Sequence, residues 1–75
     1  MKFFYYFSDT FITTKVKAAI LEESSLKSAE INVETFKGVV QLSGFVSSSA
    51  NIDKAVAVAR DVNGVTSVRN NMRLK

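Results

Sequence analysis

The chain has 75 residues, and a length of this order holds one domain with one core. It contains no Cys and no His, which excludes thiol nucleophiles, disulfides, the usual zinc ligands and the side chain best suited to proton transfer near neutrality. A net charge of +3 allows acidic partners such as phosphates or anionic headgroups, and it equally describes an ordinary solvated surface.

The opening Met1-Lys2-Phe3-Phe4-Tyr5-Tyr6-Phe7 has one Lys before an apolar run, as an export signal does. The run is shorter than the roughly 7 to 15 residues of a signal core and the roughly 20 of a membrane span, so no complete export signal is expected. An aromatic segment over residues 1–8 can be a frayed terminus or an edge strand. It can also be a patch that docks on its own core, on a partner or at a lipid interface.

Asp9 is expected to cap a first helix, whose apolar positions Ile12, Val16, Ala19 and Ile20 form one stripe. Lys15 and Lys17 fall off that stripe. Glu22 and Glu23 oppose the helix dipole, which predicts fraying by Ser24 or Ser25.

A hairpin follows. Lys37-Gly38 is a two-residue turn in which Gly38 supplies positive φ, so Phe36 faces Val39, Thr35 faces Val40, Val33 faces Leu42 and Ile31 faces Gly44. The apolar members then share a face, and Glu30, Asn32, Glu34, Gln41 and Ser43 share the other. Gly44, inside a strand, marks a bulge or a close approach by a helix.

Ser47-Ser48-Ser49 offers N-caps for a second helix with Ile52, Ala55, Val56, Ala59 and Val62 on its inner face. Asp53 is expected in its favourable first turn and Arg60 in its last, with Gly64 at the left-handed cap position after it. From Val65 to Lys75, Val68, Asn70, Met72 and Leu74 alternate with Arg69, Asn71, Arg73 and Lys75, the pattern of a half-buried strand. The right-handed crossover rule makes it parallel to the strand before it. Asn70 is then expected to point inward and to bond either the loop around Gly64 or a neighbouring backbone. These elements predict an α+β fold: a single αββαβ domain over residues 9–75, a three-stranded mixed sheet with two helices packed on one face.

Ile31-Asn32-Val33, the run Gly38-Val39-Val40-Gln41-Leu42-Ser43-Gly44-Phe45-Val46, Ala55 with Ala59, and Gly64-Val65 before Val68-Arg69-Asn70 together resemble the BON domain, named for bacterial osmotically induced and nodulation proteins. The resemblance runs from about Asp9 to Leu74. It implies an exported, mostly periplasmic module without catalysis or cofactor that binds phospholipid membranes or other envelope components. Family members often carry two copies in tandem, and a single copy is present here.

The first functional expectation is a noncatalytic module for anionic phospholipid surfaces. In it Phe3, Phe4, Tyr5, Tyr6 and Phe11 enter the interface while Lys2, Lys15 and Lys17 meet headgroups; Gly38, Gly44, Gly64 and Asn70 serve the fold. The alternative is a protein interaction module that self-associates, as a homo-oligomer, through the aromatic segment or an open sheet edge. No nucleic acid is expected, because no Gly-x-x-Gly loop exists and Lys37-Gly38-Val39-Val40 lacks stacking aromatics, although Phe36 and Phe45 can lie on the open face. Glu30 and Glu34 have nothing evident to separate their pKa values, so no acid and base pair and no metal site is expected.

Overall fold

The tight turn at Lys37-Gly38 sets the register of everything that follows it. In the computed structural model, which describes residues 8–75, Lys37 and Gly38 both take positive φ, at 51° and 81°. That is the type I′ geometry whose twist matches a two-stranded ribbon. Strand β1 (Asn32–Phe36) therefore returns as β2 (Val39–Val46) with Phe36 opposite Val39, Thr35 opposite Val40 and Val33 opposite Leu42. Regular pairing runs to Asn32 and Ser43. The expected Ile31–Gly44 pair is replaced by a close backbone approach, because a single 3-10 turn at Ser28–Glu30 brings the Glu30 carbonyl over Gly44.

Helix α1 (Asp9–Glu22) is capped by Ser8, whose hydroxyl accepts from the Phe11 N–H at 3.1 Å. The assignment of that cap to Asp9 is thus corrected. Asp9 is already helical, and its carboxylate reaches across to the hairpin, accepting from the Lys37 N–H at 2.8 Å and the Gly38 N–H at 3.0 Å. Its two oxygens satisfy the donors that the turn leaves exposed.

Helix α2 (Ser49–Arg60) begins at the Ser48 cap, which accepts from the Asn51 N–H. Asp53 consequently lies beyond the first turn rather than in it, while Arg60 does occupy the last. The helix closes on Asp61 in right-handed conformation. Gly64, at φ 96°, is not its cap but the left-handed residue of the next turn, in which the Val65 N–H donates to the Val62 carbonyl.

Strand β3 (Ser67–Leu74) lies parallel to β2, from Val39–Ser67 to Val46–Leu74, so the sheet order is β1-β2-β3 with β2 central. Both helices cover one face. Ile12, Val16 and Ile20 of α1 and Ala55 and Ala59 of α2 close over Val33, Val40, Leu42, Val46 and Met72. The two alanines let α2 sit close to the sheet, and the Thr13 and Thr35 hydroxyls join α1 to β1 at 2.7 Å. Asn70 shares its register row with Leu42 and its face with the buried Met72, yet it is exposed. Of its two expected partners it takes the backbone one, accepting from the Met72 N–H at 2.8 Å.

A Cβ on Gly44 would stand 2.1 Å from the Glu30 carbonyl oxygen, at a φ of 123° that side chains rarely adopt. Gly44→Ala is expected to cost more than about 3 kcal/mol, a large part of the stability of a domain this small, and urea titration followed by circular dichroism measures it.

Candidate membrane-facing surface

Helix α1 buries one side and offers the other to solvent. With Ile12, Val16 and Ile20 inward, a 3.6-residue repeat turns Phe11, Thr14, Ala18 and Leu21 outward as a ridge. Lys15 and Lys17 flank this ridge on opposite sides, both exposed. Phe11 is 44% exposed, with the Lys15 ammonium 5.7 Å from its ring centroid, and Leu21 is 71% exposed. From Thr10 to Leu21 the helix carries no acidic side chain. Of the expected contact residues, Phe11 lies on this ridge and Lys15 and Lys17 stand on its opposite borders. Lys2, Phe3, Phe4, Tyr5 and Tyr6 lie outside the described residues. Leu21 was absent from the expected set. Its signal was available, since it falls off the Ile12-Val16-Ile20 stripe and has no core to join.

The opposite side of the domain is the uncovered sheet face. Phe36 and Phe45 stand on it at 72% and 61% exposure, among Gln41, Arg69 and Arg73. Phe36 pairs with Val39 at one end of β2 and Phe45 sits near the other, roughly 20 Å away at about 3.3 Å per residue. Bases stacked on consecutive aromatics would need neighbouring rings, and these two are separated.

A second polar cluster locks the end of the sheet. The Glu30 carboxylate accepts from Ser47 Oγ at 3.1 Å and pairs with the Lys75 ammonium at 2.8 Å, through the same oxygen, Oε2. The Lys75 contact, helped by the Ser47 hydroxyl and by the charges of Lys75 and Lys27, holds this carboxyl below the usual glutamate range, against the opposing effect of desolvation. Among the described residues no group of His, Cys, Asp or Glu is placed to hold a metal ion, and no helix is long and apolar enough to cross a membrane.

Two helices on one face of a three-stranded mixed sheet, in the order αββαβ, define a small α+β domain with one covered and one open sheet face. A family model for the BON domain matches residues 8–75, and the chain belongs to that family. It is 46% identical over 70 residues to osmotically-inducible protein Y of Escherichia coli (strain K12), covering 93% of this chain and 35% of that protein. It is 43% identical over 60 residues to a 21 kDa hemolysin of Actinobacillus pleuropneumoniae, covering 80% of this chain and 30% of that protein. The chain therefore spans about a third of the length of these relatives.

Because the Glu30 pKa is depressed in the folded state, its contribution to stability is complete above the ordinary glutamate pKa of about 4.3 and is lost as the pH falls through the lower folded value. Urea midpoints measured downward from neutral pH should fall through that acid range. Glu30→Gln should flatten this part of the profile; an unchanged slope would show that other carboxylates carry it.

Proposed function

We propose that the chain is a noncatalytic module of the bacterial envelope, working on the periplasmic side, that docks reversibly on anionic phospholipid surfaces through the outer ridge of α1. One observation carries this reading: a solvent-facing ridge with exposed Phe11 and Leu21 is bordered by Lys15 and Lys17, and its one acidic side chain is Glu22 at the very end of the helix. Apolar side chains that remain partly in water lose it by entering the boundary between headgroups and acyl chains. The lysines reach back to the phosphates along their apolar stems.

Each Lys contributes about 1 kcal/mol near an anionic leaflet, and this attraction weakens with salt. Partial burial of two side chains adds a similar amount, so the ridge supports weak, reversible docking rather than insertion. Lys2, Phe3, Phe4, Tyr5 and Tyr6 immediately precede α1 in sequence and belong to the same proposed contact, as basic and aromatic groups suited to an interface. Membership of the BON family supports an envelope role, and the name hemolysin on one relative fits a domain that meets membranes.

Sedimentation with vesicles tests the reading. Binding is expected to anionic vesicles at low salt, to be weakened at high salt, and to be absent with neutral vesicles. Leu21→Ser should reduce it, and Lys15→Glu with Lys17→Glu should abolish it without unfolding the domain, since all three side chains are exposed. Tyr5→Ala with Tyr6→Ala tests the aromatic segment separately. Equal binding to neutral and anionic vesicles would remove the lysines from the mechanism.

A further inference from the structure

The two edges of the sheet are treated differently. At the β3 edge the outward Met72 N–H is occupied by the Asn70 side chain, and Arg69, Arg73 and Lys75 surround the strand with charge. Charges and occupied donors are how proteins keep an edge from pairing. Strand β1 has none of these devices. From Ile31 to Phe36 there is no Lys, Arg, Pro or Gly, and its one charge is Glu34.

The backbone groups that β1 leaves open follow from its turn. In a two-residue hairpin the pair beside the turn is the hydrogen-bonded one, here Phe36–Val39, so Glu34–Gln41 and Asn32–Ser43 are bonded as well. The Lys75 N–H bond to the Val46 carbonyl gives the same alternation from the other side, with the even-numbered residues of β2 turned toward β3. Val33 and Thr35 thus direct their N–H and C=O groups away from the sheet, and among the described residues nothing pairs with them. They offer two donors and two acceptors at the spacing of an extended chain.

Space for such a chain is present. Two adjoining grooves that share Val33 and Glu34 run the length of β1. Lys17 and Leu21 line one end, Thr13 stands over the middle, and Phe36 and Lys37 line the other, while Arg69 reaches the second groove from β3 across the open sheet face. Beside β1 two cations, Lys17 and Lys37, stand at the ends of the groove against the single Glu34. A second copy of β1 would bring like charges to like, whereas an acidic segment would neutralise them.

We propose that the β1 edge is a binding site for an extended, acidic segment of a partner protein, which adds to the sheet as a fourth strand beside Asn32–Phe36. Backbone bonds to Val33 and Thr35 supply the pairing, and Lys17 at one end and Lys37 at the other select carboxylates. The inference goes beyond the membrane reading and does not depend on it.

The test uses the whole chain without vesicles and a synthetic peptide, Asp-Thr-Val-Thr-Val-Thr-Val-Thr-Asp, blocked at both ends. Amide hydrogen exchange followed by NMR should be fast at Val33 and Thr35 in the free protein and slowed by the peptide, with β3 amides unaffected. Thr35→Pro removes an outward donor at an edge position where Pro is tolerated, and it should weaken binding about tenfold or more. Thr35→Val keeps the donor and should bind like the parent chain. The assignment is overturned if the peptide leaves exchange at both amides unchanged, or if a version with Lys in place of Asp binds equally well. Protection that grows with protein concentration in the absence of peptide would also overturn it, since a second copy would then hold the edge. The exchange measurement on the unsubstituted chain decides the matter even where Thr35→Pro fails to fold.

Discussion

The Asp9 carboxylate and the two turn amides it accepts from are the contact on which the rest of the domain depends. The turn fixes which residues of β1 and β2 face each other. Asp9 then ties the start of α1 to that turn, and the Gly38 carbonyl accepts from the Thr66 N–H at 2.9 Å, tying in the approach to β3. Three segments distant in sequence are aligned at one end of the sheet. At the other end Glu30 does the corresponding work, joining the 3-10 turn to Ser47 and Lys75. Between these polar fastenings the core is apolar, and no polar or charged residue is buried among the described residues.

How much of this was legible depended on how local each constraint is. The hairpin register could be counted from Lys37-Gly38 because a two-residue turn admits one alternation, and the wrong register would have mixed Val33 and Leu42 with Glu34 and Gln41. The parallel placement of β3 followed from the handedness of a strand-helix-strand unit. The role of Asp9 was not legible. Ser8 and Asp9 are adjacent and both suit an N-cap, and only a contact between distant segments separates them. Gly64 and Asp53 were displaced by a residue or a few for a similar reason, since where the helix starts and stops was decided by which serine caps it and where its last turn loosens. The inward reading of Asn70 had the correct face but assumed a covered strand. The helices cover Met72 on that face but leave Asn70 exposed, and the amide serves the backbone of its own strand.

The functional surfaces were harder to read than the fold because exposed residues carry no packing signal. Lys15 and Lys17 look alike along the chain, yet one borders the Phe11 ring and the other borders the groove beside β1. Leu21 and Phe36 are apolar residues that the core leaves out, one on the helical side and one on the sheet face. The domain therefore presents two chemically different sides: a basic and apolar ridge on α1, and an open sheet face with a bare edge beside it. The two surfaces meet at Lys17 and Leu21, which border both the α1 ridge and the groove beside β1, so a contact on one side bears on the other.

The parallel pairing of β2 with β3 has a consequence for how the chain reaches this structure. Contacts within the β1-β2 hairpin close short loops, and such hairpins form in about 1 to 10 μs. Every pairing between β2 and β3, from Val39–Ser67 to Val46–Leu74, closes the same long loop through α2, and only the packing of α2 on β2 and β3 closes shorter ones. The entropy of the long closure precedes the gain from pairing. Until β3 docks, β2 has one side unpaired. The stretch Val39–Val46, central in the finished sheet, is the most aggregation-exposed part of the chain while the sheet is being made.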